Sequence, residues 1–209
     1  MRIQIGVMGS AGGAITEEEL DLARRVGRRI AERGCVVVTG ACPGLPHAAV
    51  IGAHEIGGDS LGISPAHSRE EHVHAFSSPL EPYTLIAFTG SGLMGREVHN
   101  IHSSDIVIFV GGRSGTLGEF SIAYDEGKMI GILRNSGGIS NHFSEIATLV
   151  EKRTGAVLIE DDQPERLVDT CLDRYLREAR ASSVVFSNGD AGGDGLTPGN
   201  LVTVEAGRG

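Results

Sequence analysis

The chain has 209 residues and a formal charge of −9, with 27 acidic side chains against 18 lysines and arginines. That balance argues against a DNA or RNA partner, because such binding rests on a basic surface that releases counterions. Three scattered cysteines, Cys35, Cys42 and Cys171, exclude a disulfide scaffold and point to a reducing, cytoplasmic location. No window approaches the roughly eighteen uninterrupted apolar residues of a membrane span, so no membrane partner is expected either.

The apolar pattern alternates between short β-branched runs and amphipathic stretches, which predicts a parallel sheet covered by helices on both faces. Ile3 to Met8 reads as the first strand. Its short alternating run leads into the loop GSAGGA and an acidic helix, so it is not read as a signal peptide. Thr16 and Glu19 form a TxxE capping box that opens a helix to about Arg33. On that helix Arg24, Arg25, Arg28 and Arg29 read as a solvated face partnered by Glu17 to Glu19. Cys35 to Thr39 is the second strand, followed by GACPG and a helix through His47 to Ile56. Ser60 to Ser64 is a third. Residues 65 to 82 read as irregular, and although His67, His72, His74, Glu70 and Glu71 fall there, their spacing matches no zinc motif, so no metal is expected. Leu85 to Phe88 is a strand, and TGSGLMG leads into a helix ending near Ser104. The strand Ile106 to Val110, a helix to Gly127, the strand Met129 to Leu133, a helix from Ser140 to Lys152, the strand Ala156 to Ile159 and a helix from Pro164 to Arg180 complete the pattern. The expectation is one α/β domain over 1–181, doubly wound and mostly parallel, with a flexible Gly/Asp-rich tail over 182–209.

In such a sheet the loops at the strands' C-terminal ends share one edge, where ligands bind. Gly9, Ser10 and Gly12 lie in the first of these loops and Gly40 and Gly44 in the second. Gly111, Gly112, Arg113, Ser114, Gly115 and Thr116 lie in the loop after the five-residue apolar run IVIFV. A glycine turn between a buried strand and a helix start presents backbone N–H groups at the positive end of a helix dipole, which suits phosphate. Cys42, beside such a helix start, reads as packing more readily than as a reactive thiol.

Arg96 and Glu119 are brought to the same edge by arithmetic. The helix from Arg96 to Asp105 climbs roughly 14 Å at about 1.5 Å per residue, and the returning strand to Gly111 covers roughly 20 Å at about 3.3 Å per residue. An arginine, an anion cradle and a carboxylate are thereby predicted to converge. A guanidinium there can hold phosphate or polarise a leaving base, and a carboxylate can stabilise an electron-poor carbon or position water.

These residues resemble a known family. VGGRSGTLGE is similar to the PGGxGTxxE hallmark of the LOG family of cytokinin-activating nucleoside 5'-monophosphate phosphoribohydrolases, once labelled lysine decarboxylase-like, with Val110 in place of proline. Arg96 and Asp105 keep the family's nine-residue spacing, whereas Glu97 stands where the family has lysine. The pattern GTLGEFSIA and the segment RExHNIHSSD look closer to the branch of DprA/Smf-related nucleotide-binding proteins and molybdenum cofactor carriers. The resemblance covers about residues 3 to 160. It implies a Rossmann-like homodimer that binds a nucleotide-type small molecule without a further cofactor. Arg96 and Glu119 would be the catalytic pair hydrolysing the N-glycosidic bond to free base and ribose 5-phosphate. The alternative it implies is a non-catalytic carrier or sensor of a phosphorylated nucleotide or molybdopterin-type cofactor.

Overall fold

A computed structural model describes residues 1–188; side-chain placement is described up to residue 179. Seven parallel strands form one sheet: β1 (Gln4–Gly9), β2 (Val36–Thr39), β3 (Ser60–Ser64), β4 (Leu85–Phe88), β5 (Ile106–Val110), β6 (Met129–Leu133) and β7 (Val157–Asp161). Their spatial order is β4-β3-β2-β1-β5-β6-β7. The chain winds outward one way from β1 and then the other way from β5, so the topological switch lies between these two strands. Gly9 pairs with Val110 at their C-terminal ends. The loops that leave the switch point are therefore the first glycine loop and the GGRSGT loop.

The helices are α1 (Glu17–Glu32), α2 (Leu45–His54), α3 (Arg69–His74), α4 (Gly92–His102), α5 (Ser114–Asp125), α6 (Phe143–Val150) and α7 (Pro164–Asn188). Each strand side chain points to the face opposite its neighbour's, and two cores follow. Ile5, Val7, Ile106, Ile108 and Val110 pack with Val26 and Ile30 of α1, Ala49 of α2 and Leu167 and Cys171 of α7. Met8, Val107 and Phe109 face the other way, onto Ile101, Phe120 and Phe143. There Phe120 stacks on Phe143 with ring centres 4.1 Å apart, and Phe109 meets Phe143 edge-on at 5.1 Å. Every residue of β5 is buried on both faces, as its uninterrupted apolar run requires.

The Thr16 capping box forms, with the Glu19 amide donating to Thr16 Oγ1 at 3.2 Å and the Thr16 amide donating to Glu19 Oε2 at 2.7 Å. Three features depart from the sequence reading. The stretch read as irregular contains α3, capped by Ser68, which accepts from the Glu71 amide. The helix expected from Ser140 begins as a 3-10 turn, Ile139–His142, before α6. The last helix runs to Asn188 instead of stopping at Arg180; the remainder of the expected tail lies outside the described residues.

The arginine face of α1 also has different partners. Arg25 pairs with Glu165 at 2.7 Å, Arg29 with Asp169 at 2.8 Å, and Arg33 with Asp169 and Asp173, all carboxylates on α7; Arg28 pairs with Glu55. Glu17 to Glu19 are spent at the helix's N-terminal end, where they complement its dipole. No helix among the described residues is long and apolar enough to cross a membrane.

Candidate functional site

A cavity of about 380 Å³ opens at the C-terminal edge of the sheet over the switch point. Of the residues singled out in the sequence, Gly9, Ser10, Gly12, Gly40, Arg96, Arg113, Ser114, Gly115, Thr116 and Glu119 all line it. Gly111 and Gly112 line an adjoining cavity of about 370 Å³, which shares Ser10, Gly12 and Arg113 with the first. Gly44 lines neither. It starts α2 with φ +80°, and a Cβ there would come within 2.2 Å of the Ser10 carbonyl oxygen, so its smallness is needed for packing the two loops together.

The amides of the glycine turn are not all available to a ligand. Gly111 donates to Ser136 Oγ at 2.9 Å, Gly112 to Ser10 Oγ at 3.1 Å, and Arg113 to Thr116 Oγ1 at 3.3 Å. Arg113 and Ser114 occupy the place of the hallmark's single variable residue, so α5 starts at Ser114. The N–H groups of Ser114, Gly115 and Thr116 form its first turn and have no intrahelical acceptor. The amides left open at the start of α5 are therefore these three, with the earlier amides holding the loop in shape. Arg113 extends back over the first loop, its Nη1 lying 3.4 Å from the Gly12 carbonyl oxygen.

Arg96 comes from α4 and is only 8% exposed. Its Nη1 donates to the Gly40 carbonyl, and its Nε is buried without a partner. A Cβ on Gly40 would fall 1.4 Å from Nη1, so the absence of a side chain at 40 is what admits the guanidinium. One turn further along α4, Asn100 donates from Nδ2 to Glu119 Oε1 at 3.1 Å, while its own Oδ1 is unpaired. Asn100 was not anticipated; its i+4 spacing from Arg96 was the available signal.

Glu119 is 7% exposed, and burial pushes its carboxyl up to about 7 against the pull of Arg96 and the Asn100 bond, with Glu97 adding repulsion. Glu97 is 5% exposed, and burial likewise raises its carboxyl, with Arg96 opposing. Burial raises the Cys42 thiol too, which disfavours a thiolate nucleophile in this wall. Asp105 stands at the far end of β5, where it accepts from the Gln4 amide at 2.8 Å and from Tyr175 Oη at 3.1 Å. Its place in the motif spacing is a structural one.

The histidine-rich segment does not join the cavity. His72 is buried, with Nδ1 2.8 Å from Ser64 Oγ and Nε2 3.0 Å from the Pro79 carbonyl oxygen, and His67 pairs with Glu71. Among the described residues no group of three or more His, Cys, Asp or Glu side chains gathers to hold a metal.

Comparison with known proteins places these observations among relatives. A model of the SLOG cluster4 family matches residues 2–168. An uncharacterized protein of Archaeoglobus fulgidus is 36% identical over 132 residues, 63% of this chain and 80% of that one. Among solved structures, the structural-genomics target TM1055 superposes with a TM-score of 0.72 at 23% identity, covering 82% of this chain and 99% of that one. The molybdenum cofactor binding protein of the phototrophic bacterium Rippkaea orientalis gives 0.68 at 28% identity, covering 83% and 97%. DNA processing protein A of Helicobacter pylori, described with a single-stranded DNA binding mode, gives 0.57 at 18% identity, covering 83% and 81%.

Proposed function

The chain belongs to the SLOG cluster4 family, and from that premise we propose that its cavity binds a nucleoside 5'-monophosphate and hydrolyses the N-glycosidic bond. That family sits in the superfamily that includes the LOG and DprA proteins, in keeping with the resemblance carried by GGRSGTLGE. The observation that carries the proposal is Glu119, a buried carboxyl pushed up to about 7, in one cavity with Arg96 and the open end of α5.

The 5'-phosphate is held by the N–H groups of Ser114, Gly115 and Thr116, where the helix dipole favours an anion. Water attacks C1' of the ribose as the C1'–N bond breaks, and the bonding pair leaves with the base nitrogen. In its ionised form Glu119 stabilises the oxocarbenium-like carbon or takes a proton from the water; Asn100 fixes its orientation. Arg96 reaches the leaving base or the phosphate with the face of its guanidinium not committed to Gly40. The products are free base and ribose 5-phosphate.

A second reading, a carrier that binds a phosphorylated nucleotide or molybdopterin-type cofactor without turnover, is favoured by Glu97, which stands where the LOG family has lysine after its arginine, by Val110 in place of the hallmark's proline, and by the likeness to the Rippkaea orientalis protein. The acidic balance argues against nucleic acid in either reading, and three free cysteines suit a cytoplasmic setting. A homodimer through α4 and β4 is supported by the exposed Leu85, Phe88, Leu93, Met94 and Val98.

Incubation with AMP, isopentenyl-AMP and GMP, followed by chromatography for free base, tests the reading. Glu119→Gln is expected to abolish base release and keep ligand binding, and Arg96→Ala to weaken both. Folded protein that releases no base from any of the three sinks the hydrolase reading, and retained binding then selects the carrier.

A further inference from the structure

Glu97 is a charged side chain of the cavity with no part in the hydrolytic step proposed above. It is 95% buried by its 5% exposure, it lines the cavity, and no donor among the described residues reaches its carboxyl. Among the described residues the buried unpaired side-chain atoms are Arg24 Nε, Arg96 Nε and Asn100 Oδ1, so the Glu97 oxygens keep an opening to the cavity through which a ligand's donors can reach them. The position of Glu97 is held by α5. A Cβ on Gly118 would lie 2.6 Å from Glu97 Oε2, and one on Gly115 would lie 3.3 Å from Oε1. These two glycines, one turn apart on the same helix face, form a trough in which the carboxyl lies with one oxygen against each. Leu93, Pro46 and Met8 supply apolar surface in the same cavity, suited to the faces of a flat ring.

An ionised carboxylate accepts and never donates. Two oxygens side by side therefore match two adjacent N–H donors and oppose a ring nitrogen lone pair. We infer that Glu97 is a specificity-determining residue, selecting a heterocycle with the 2-amino-4-oxopyrimidine edge shared by guanine and pterins. The inference rests on the reading that the ligand's phosphate sits at the start of α5, and it adds which base that ligand carries. Guanine presents its ring N–H beside its 2-amino group to this carboxylate. Adenine presents one amino group beside an unprotonated ring nitrogen, which faces the carboxylate lone pair to lone pair. Sites built around such hydrogen bonds discriminate strongly against analogues that lack the donor.

Calorimetric titration of the full chain at pH 8 with GMP, IMP, AMP and neopterin monophosphate tests it. Wild type is expected to bind GMP, neopterin monophosphate or both at least tenfold more tightly than AMP. IMP, which lacks the 2-amino group, is expected to fall below GMP. The tighter of GMP and the pterin identifies the source of the edge. Glu97→Gln, nearly isosteric, is expected to reduce the preference over AMP to less than threefold. Gly118→Ala provides a second route without touching the carboxylate, since its methyl pushes the flexible end of Glu97 out of the trough; the same loss of preference is expected, with folding checked by thermal melting. Equal binding of AMP and GMP by wild type overturns the inference and leaves the phosphate reading standing. An unchanged preference in Glu97→Gln also overturns it. Failure of all four ligands to bind overturns both.

Discussion

Replacing Glu119 by glutamine tests the electrostatics of the site without any assumption about its ligand. The carboxyl titrates near 4.5 when free and at about 7 in the folded chain, with burial the main cause. Its folded pKa lies above the unfolded one, so the native state binds the proton more tightly. The stability this contributes is complete below about pH 4.5 and is lost as pH rises through about 7. At about 1.4 kcal/mol per pH unit, the loss amounts to about 3 kcal/mol by pH 8. Glutamine keeps the shape and the oxygen that accepts from Asn100, yet stays neutral throughout. Urea unfolding of both proteins from pH 4.5 to 8 is expected to show the variant gaining on wild type by about that amount, with a plateau above about pH 7. Titrations common to both chains cancel in the difference. A gap that stays constant, or that narrows as pH rises, refutes the account of Glu119 as a carboxyl whose ionisation burial opposes.

Other expectations follow from packing and ion pairing. Gly27 of α1 faces α2 so closely that a Cβ would lie 1.8 Å from the Ala49 carbonyl oxygen; Gly27→Ala is expected to cost at least about 2 kcal/mol and several degrees in Tm by calorimetry. Gly40→Ala places its methyl on Arg96 Nη1 and is expected to cost a similar amount in urea unfolding, because the displaced guanidinium leaves its carbonyl partner. Burial opposes ionisation of Asp169, but the hydrogen bonds from Arg29 and Arg33 outweigh it and hold the carboxylate below its usual range. Asp169→Asn is therefore expected to lower stability by about 1 kcal/mol at pH 7. The deficit should shrink as pH falls below about 4 and through the lower folded value, where wild type also loses the charge.

Much of the fold was legible because its determinants are local. The apolar run of β5, the capping box at Thr16 and the glycine turns each act within a few residues, so strands and helices could be placed to within a residue or two in most cases. The convergence of Arg96 and Glu119 on one edge was also legible, since the lengths of α4 and β5 bound the distance between their ends. The alternating order of strands and helices carried the class of fold in the same way.

What the linear chain could not carry depends on contacts between residues far apart in sequence. Arg29 finds Asp169 across 140 positions, and no spacing rule on α1 points to a helix that far away. Gly40 reads as another ligand-loop glycine until Arg96 is seen against it from 56 positions on. The cradle looked like a run of equivalent amides, yet Ser10 and Ser136 take two of them and leave open the first turn of α5. Glu97 changed most. As a letter it was a departure from a motif; in the folded chain it is an unpaired acceptor set between two glycines of α5. Residue types and local periodicity determined the sheet, its edge and the chemistry available there. Burial and hydrogen-bond competition, which exist only once the elements pack, decided the protonation of those groups and which of them are free to meet a ligand.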